Sequence, residues 1–321
     1  MSKKFDIVAL GEVLIDFTVA DVSESGMRLF EQNPGGAPAN MLTAALQAGL
    51  DTAFIGKVGT DMHGKFLRET LDKIGIDTSG LVSDEEVFTT LAFVSLNAGG
   101  EREFSFARKP GADTMLKSSE LNKEILKNTK VLHVGSLSLT HEPSRTTTFD
   151  AVKIAKKAGA IISYDPNYRE KLWENVDEAK KWMSKMLEYA DIMKISDEET
   201  KLLTPFEKPE EAAKYLIDKG VKIVCITLGA NGVYIANKDT AFNVAGFKAN
   251  VVDTTGAGDS FWGGLVSRIL TKEIDINNMT ESELYDIARY GNAVASLCVE
   301  KRGGITGIPN FEEIEERLKR G

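Results

Sequence analysis

Short apolar runs alternate with segments of helical periodicity along most of the chain. The first run, Phe5 to Leu10, is nearly continuous and ends at Gly11, which is typical of a strand buried on both faces of a parallel sheet. Similar runs follow at 53–58, 131–134, 160–164, 192–195 and 223–228. Helical patterns lie between them, at 37–48, 63–74, 144–158, 176–189 and 209–219, and the chain after residue 258 is also helical, with a long segment near 282–299 and a last helix from residue 310. The alternation predicts a mainly parallel sheet of βαβ units with helices on both faces.

Two stretches depart from this alternation and have the period-two pattern of strands. They cover about 13–33 and 88–110, and the second contains the turn sequence Asn97-Ala98-Gly99-Gly100. Alternate residues of the second stretch fall on two faces, with Leu91, Phe93 and Ser95 on one and Ala92, Val94 and Leu96 on the other. We expect a small β-sheet beside the main sheet that covers a site or forms a dimer contact. Two separate surface hairpins are the alternative. The chain has no repeats or linker-like tracts, so residues 1–321 are expected to form one domain with this lid.

The charge balance argues against polyanionic partners. The 321 residues carry a net charge of −9, so neither nucleic acid nor an anionic membrane is expected as a partner. The first apolar run is too short for a signal sequence, and no window reaches the ~18 apolar residues of a membrane span. A cytoplasmic location is therefore expected. Cys225 and Cys298 lie inside apolar runs, which suits reduced core thiols, and the three histidines lack metal-ligand spacing.

The stretch from Asp253 to Gly264, DTTGAGDSFWGG, combines a glycine-rich turn with the start of a helix. Such a turn gathers backbone N–H groups at the positive end of a helix dipole and is suited to bind phosphate. Asp259 would lie beside that anion, where electrostatics disfavour a second negative charge, so its presence suggests a chemical role. The alternative is a helix N-cap after an ordinary turn. The P-loop pattern fails because no lysine follows the glycines, and the dinucleotide fingerprint fails because Phe261 replaces its third glycine.

Polar side chains also follow several of the predicted strands. They are Asp16, the Gly35-Gly36 turn with Asn40, and the group Asp165, Asn167 and Arg169. Ligands of open parallel sheets bind beyond the carboxyl ends of the strands, and carboxylates and amides there can hydrogen-bond a polyhydroxylated ligand. This favours a sugar, although each residue alone could be a turn or cap residue.

Two later strand ends suggest a nucleotide and its metal ion. The segment from Lys194 through Ser196 to Glu199 ends one strand, and Glu199 could help hold a hydrated Mg²⁺ carried by a nucleotide. A favourable interaction of the three acids at 197–199 with a helix dipole is the alternative. Residues 227–232, with Gly229 and Gly232, would leave room for a phosphate-bearing group or form a tight hairpin turn.

Two long motifs, GGAPANMLTAALQAGLDTAFIGKVGTDMHG at 35–64 and DTTGAGDSFWGG at 253–264, resemble the signature regions of the PfkB, or ribokinase-like, carbohydrate kinases. The resemblance covers essentially the whole chain. It implies a ribokinase-like α/β fold, with a three-layer α/β/α core and a small β-sheet lid that often builds a homodimer. It also implies ATP and Mg²⁺ as cofactors and a sugar as the acceptor.

The resemblance assigns roles to individual positions. Asp259 matches the catalytic base, and the matching anion hole for the transferred phosphoryl consists of Gly256, Ala257 and Gly258. The sugar-binding positions are matched by Asp16, Gly35, Gly36 and Asn40, and the nucleotide positions by Thr227, Gly229, Gly232 and Asn292, with Lys194, Ser196 and Glu199 beside them. Asp253 matches a monovalent-cation ligand of members that need K⁺. Ser196 stands where many members have Asn, which weakens the Mg²⁺ role at Glu199.

The substrate is expected to be fructose. Segments 102–116, 163–173 and 194–204 look most like bacterial and plant fructokinases, and Asn167 and Arg169 would join the sugar site. Arg108 would either contact the sugar or be a solvated charge on the lid. We expect ATP-dependent conversion of D-fructose to D-fructose 6-phosphate. Asp259 needs no raised pKa for this role, because a carboxylate near its reference pKa is already ionised at neutral pH. Kinases for 2-keto-3-deoxygluconate, ribose or a nucleoside are alternatives, and a non-catalytic sugar sensor is a different class that would need no base.

Overall fold

Two β-sheets organise the computed structural model, which describes residues 3–96 and 102–320. Its strands, in chain order, are β1 Phe5–Leu10, β2 Leu14–Val22, β3 Arg28–Gly35, β4 Thr52–Gly59, β5 Asp77–Asp84, β6 Leu91–Leu96, β7 Arg102–Ala107, β8 Thr129–Val134, β9 Ile161–Tyr164, β10 Ile192–Ser196, β11 Ile223–Thr227, β12 Val233–Ala236 and β13 Ala241–Val244. The large sheet has the order β13-β12-β11-β10-β9-β8-β1-β4-β5, and the small sheet has the order β3-β2-β6-β7.

The large sheet is parallel from β5 to β11, as the alternating pattern predicts. At the far edge, β12 and β13 add two antiparallel strands that the pattern did not predict. Strand β5 at the other edge was also missed, because its sequence, DTSGLVSD, is too polar to stand out as an apolar run. β5 and β13 are the edge strands of the sheet, and such strands need not be buried on both faces. β12 lies one strand in from the edge and is fully buried, so this reason does not apply to it.

The helices cover both faces of the large sheet. In chain order they are α1 Ala37–Gln47, α2 Met62–Ile74, α3 Lys123–Lys127, α4 Ser144–Lys157, α5 Val176–Leu187, α6 Thr200–Leu203, α7 Pro209–Asp218, α8 Ala257–Thr271, α9 Glu281–Cys298, α10 Gly304–Gly307 and α11 Phe311–Arg320. One core holds Val8 and Leu10 with α4, α5 and α7, and the other holds Ile7 and Ala9 with α1, α2, α8 and α9. Alternate residues of β1 thus enter opposite cores, which gives three layers.

The small sheet joins the two stretches with strand periodicity. Residues 15–18 of β2 pair in parallel with 91–94 of β6, so these stretches form one sheet rather than two separate hairpins. The predicted turn at 97–100 lies outside the described residues. Nothing among the helices of residues 3–96 and 102–320 has the length and apolarity needed to span a membrane.

Helix α8 is packed with unusual closeness against its neighbours, and this packing places its first turn. A Cβ atom on Gly263 would overlap the backbone carbonyl of Met41 in α1, and one on Gly264 would lie 2.7 Å from Val294 in α9. The indole of Trp262 donates a 2.8 Å hydrogen bond to Ser163 Oγ of β9. Both contacts fix α8 against the sheet and against α1.

Replacing Gly263 by Ala should therefore destabilise the protein. The methyl group would meet a backbone oxygen that cannot move cheaply, and overpacking of this kind costs about 1–3 kcal/mol, partly offset by the better helix propensity of alanine. We expect a loss of about 1–2 kcal/mol in the free energy of unfolding, measured by urea denaturation. Thr271→Ala, at the exposed end of the same helix, should change it by less than about 0.5 kcal/mol. An equal response of the two variants would contradict the packing argument.

Candidate active site

A cavity of about 200 Å³ lies at the carboxyl ends of the parallel strands, beneath the small sheet. It brings together most of the residues that the sequence assigned to sugar and phosphoryl binding: Asp16, Gly36, Asn40, Asn167, Arg169, Lys194, Gly256, Ala257, Gly258 and Asp259. These residues come from distant parts of the chain, and they converge because parallel strands share one carboxyl edge.

The glycine turn before α8 is held in a backbone geometry that favours glycine. Gly256 has φ +75° and precedes the first residue of α8, and a Cβ there would lie 2.9 Å from Gly304 Cα. A Cβ on Gly258 would lie 3.0 Å from Lys194 Nζ. The first backbone N–H groups of a helix have no partner within the helix, so this turn offers donors to an anion at the cavity wall.

The Asp259 carboxylate is buried and is oriented by two amides. Asn40 donates to its Oδ2 at 2.8 Å, and Asn167 donates to its Oδ1 at 3.2 Å. Burial, with repulsion from Asp165, raises the pKa of Asp259 to about 6, although Lys194 and the Asn40 hydrogen bond oppose the rise. The proposed role does not require this rise in pKa, and the sequence could not reveal it, because the sequence cannot show how deeply this carboxyl is buried. The group is nevertheless mostly ionised at pH 7.

Lys194 is the buried cation of the cavity. Its Nζ lies 2.7 Å from Asp165 Oδ2, and both side chains are almost fully buried. Burial alone would lower the pKa of Lys194, but attraction to Asp165, Glu199 and Asp259 outweighs it and raises the pKa. Lys194 therefore keeps its charge beside the turn at Gly258.

The Gly35-Gly36 turn makes room for the acids around it. A Cβ on Gly35 would overlap Asp16 Oδ2, and Gly36 has φ +116° with the position of its Cβ only 2.5 Å from Glu12 O. Gly36 also precedes α1, the helix that carries Asn40. The two glycines thus allow Asp16 and Asn40 to approach the same cavity.

Arg108 does not line the cavity. It is 3 % exposed, forms a 2.6 Å ion pair with Asp113, and also donates to Thr140 Oγ1 and Leu137 O. The alternative of a solvated lid charge is wrong, because the chain folds Asp113 back onto the guanidinium. Its expected contact with the sugar stays a prediction. Most N–H donors of the guanidinium already bind protein acceptors.

Glu199 and Ser196 form a local capping arrangement. Glu199 Oε2 accepts from the backbone and hydroxyl of Ser196, and Oε1 accepts from Tyr168 N at 2.7 Å. The helix that follows, α6, has only four residues, so interaction with its dipole explains little of why three acids occur at 197–199. Within residues 3–96 and 102–320, no group of three or more His, Cys, Asp or Glu side chains is arranged so that it could hold a metal ion.

The predicted nucleotide positions Thr227, Gly229, Gly232 and Asn292 lie outside the 200 Å³ cavity, whereas Lys194 lines it. Thr227 is the sheet neighbour of Ser196. The Gly229–Gly232 turn joins antiparallel strands β11 and β12, so the hairpin alternative describes its backbone correctly. Asn292 of α9 donates to Val244 O and Ala245 O, against which Gly232 is also packed.

Asp253 lies beside a second cavity of about 440 Å³ that is also lined by Arg302 and by the small sheet. Its Oδ1 accepts from Thr255 N at 2.8 Å, and its Oδ2 accepts from Gly303 N at 3.0 Å. The carboxylate therefore ties the start of the phosphate turn to the turn before α10.

Several cavity residues were not found by sequence reasoning. They include Glu12, Leu14, Phe106, Leu137 and Thr254. Glu12 follows β1 directly, so the strand-end argument that selected Asp16 applies to it equally. Leu14, Phe106 and Leu137 are apolar and carry no such signal.

Comparison with known proteins gives the family. A model described as pfkB family carbohydrate kinase matches residues 4–310. The chain belongs to this family. It is 41 % identical over 318 residues to Fructokinase-2 of Solanum lycopersicum, and the aligned region covers 98 % of this chain and 96 % of that protein. Among pfkB kinases of known structure, it is similar to a fructokinase with bound ATP from Xylella fastidiosa, with a TM-score of 0.90 and 30 % identity over 98 % of each chain.

A fructokinase from Vibrio cholerae O395, solved in a fructose, ADP and calcium ion bound form, is also similar. Its TM-score is 0.88 at 33 % identity, over 98 % of this chain and 99 % of that chain. The pfkB resemblance and the ribokinase-like α/β fold with a second small sheet are thus confirmed.

The buried charge of Asp259 should reduce stability at high pH. The fold raises its pKa from 3.8 to about 6, so this group lowers stability progressively as pH rises from about 4 to about 6, and the full loss persists at higher pH. We expect Asp259→Asn to be more stable than the wild type at pH 8 by about 1–3 kcal/mol, with a smaller difference at pH 5. Urea denaturation at both pH values measures this. Glu198→Gln, at an exposed position, is the control, and a pH-independent difference for Asp259→Asn would contradict the argument.

Proposed function

We propose that this chain transfers the γ-phosphoryl group of ATP to the C6 hydroxyl of D-fructose. The observation that carries the proposal is the placement of Asp259, which two amides orient at the start of α8 beside the glycine turn. A sugar hydroxyl and a phosphoryl group can meet at this point. The fructokinases to which the chain is similar support fructose as the acceptor.

Asp259 acts as the general base in this proposal. With a pKa of about 6 it is ionised at neutral pH yet more basic than an ordinary aspartate, so it can take the proton of the attacking hydroxyl as the new bond forms. A placed base contributes roughly 10²- to 10⁴-fold to the rate. Asn40 and Asn167 hold the carboxylate in one orientation, so the proton is transferred to a group with a fixed position.

The transferred phosphoryl is stabilised by fixed charges and dipoles. In this proposal the turn at Gly256 and the start of α8 supply backbone N–H groups to it, and the ammonium of Lys194 lies beside Gly258. Magnesium supplies charge neutralisation of the nucleotide phosphates when it is bound. Glu199 fits a role through a metal-bound water at Oε1, because this oxygen accepts only from Tyr168 N and keeps a second lone pair, whereas Oε2 accepts twice from Ser196.

The remaining predicted residues complete the proposed site. Asp16, Arg169 and the Gly35-Gly36 turn bind the sugar beneath the small sheet, which excludes water that would hydrolyse ATP. The nucleotide lies along the strand ends at Thr227, Gly229, Gly232 and Asn292. Asp253 is the proposed ligand for a monovalent cation in the turn that it ties together.

We also propose that the chain forms a homodimer through the small sheet, as lids of this family often do. Large apolar side chains are exposed there, including Val22, Met27, Leu29 and Phe30. Exposed apolar area of this kind marks an interaction surface. The cytoplasmic location stays a prediction.

A sugar panel tests the proposed activity. In a coupled assay of ADP release we expect turnover on D-fructose with ATP and Mg²⁺, and much lower kcat/KM on 2-keto-3-deoxygluconate, ribose and nucleosides. Asp259→Asn should lower kcat by about 10²- to 10⁴-fold while KM values stay close to wild type. Sugar binding without turnover on any member would favour the sensor, and undiminished kcat in Asp259→Asn would overturn the base.

The dimer is tested by light scattering coupled to gel filtration. We expect the wild type at twice the monomer mass, and Phe30→Glu shifted toward the monomer because it places a charge in the apolar contact. Val176→Glu, at a similarly exposed apolar residue of α5, is the matched control and should stay dimeric. A monomeric wild type would refute the dimer.

A further inference from the structure

Glu12 is a buried acid in the cavity wall that the mechanism above does not use. It is 2 % exposed and lines the same cavity as Asp16 and Asp259. Its Oε1 accepts from Ala37 N at 3.1 Å, at the start of α1. Its Oε2 is buried and has no hydrogen-bond partner within residues 3–96 and 102–320.

A buried carboxylate oxygen without a partner is costly, so it points to a missing donor. Asn40 Oδ1 and Asp165 Oδ1 are buried and unpartnered in the same way in the described part of the chain. All three atoms are acceptors. Glu12 and Asn40 line the cavity, and Asp165 is ion-paired with Lys194, which also lines it. A ligand with several hydroxyl groups supplies the donors that this arrangement lacks.

Charged groups surround Glu12 from several elements. Burial, together with repulsion from Asp113, raises the pKa of Glu12 to about 7, while the backbone N–H of Glu12 itself, Arg108 and the Ala37 N–H act in the opposite direction. Asp16, Arg169, Lys194 and Asp259 face the same cavity. Because the Arg108 guanidinium is already paired with Asp113, it stabilises the ionised form of Glu12 only in part.

We propose that Glu12 binds the sugar directly, with Oε2 accepting a hydrogen bond from a sugar hydroxyl while Oε1 keeps the Ala37 N–H. This inference rests on the proposed sugar kinase activity and adds a specificity-determining residue to it. One carboxyl group then links the bound sugar to the start of α1 and to the Gly35-Gly36 turn. Only the ionised form accepts at both oxygens, so a proton on Glu12 competes with the sugar.

The proton competition gives a test that a purely structural role would not pass. We expect the Kd of D-fructose, measured by calorimetry without nucleotide, to rise about tenfold between pH 8 and pH 6, because Glu12 is protonated across this range. The titration is repeated in Asp259→Asn, which removes the other carboxyl that titrates nearby. A Kd in that variant that does not change with pH would overturn the proposal.

The Glu12→Gln variant tests the contact itself. Glutamine keeps an acceptor for Ala37 N but presents an amide where Oε2 was, so the Kd of D-fructose at pH 8 should rise about 10- to 100-fold and lose its pH dependence. The KM for ATP and the thermal midpoint report whether the fold is kept. Binding within twofold of wild type would overturn the proposal.

Asp61→Asn is the matched control. Asp61 also accepts from backbone N–H groups at a helix start, those of His63 and Gly64, but it lies outside the cavity. It should leave the Kd of fructose unchanged. If the wild type turns over another sugar of the panel instead of fructose, the proposed substrate fails, and the same Glu12 measurements are made with that sugar.

Discussion

The arrangement depends on one buried charge. In the proposed mechanism Asp259 must be ionised to accept a proton at neutral pH, yet the burial that would keep water from the reaction also disfavours its ionised form. Asn40, Asn167 and Lys194 provide the compensation, through two hydrogen bonds and one nearby ammonium. Their positions in turn require close packing of α1, α8 and the sheet. The architecture around α8 can be understood as the support for this carboxylate.

Lys194 illustrates how the same charges serve the resting and reacting protein. In the structure its ammonium is paired with Asp165, so the buried cation is not left uncompensated. A phosphoryl group arriving at the glycine turn brings further negative charge to the same place. In the proposed reaction, the Lys194 ammonium can therefore interact with the phosphoryl group without a rearrangement of the backbone.

The sequence alone predicted the layers and the centre of the site, because buried parallel strands are continuous apolar runs and their ends carry glycines and polar residues. It missed β5 and β13, whose edge positions relax that pattern, and it also missed the buried β12 beside β13. It also could not place Arg108, since the Arg108–Asp113 pair depends on how the chain turns between them. The raised pKa of Asp259 has the same origin, as burial depth is a property of the assembled fold.

The hydrogen bond between Asn40 and Asp259 joins residues that are 219 positions apart. During synthesis, the N-terminal partner is therefore made long before the acid it orients. A chain that has not yet added α8 has neither the anion-binding turn nor the acid, and one in which α8 has not docked lacks the oriented carboxylate. In the proposed mechanism, the chain therefore has no oriented base until α8 has been synthesised and has docked against α1.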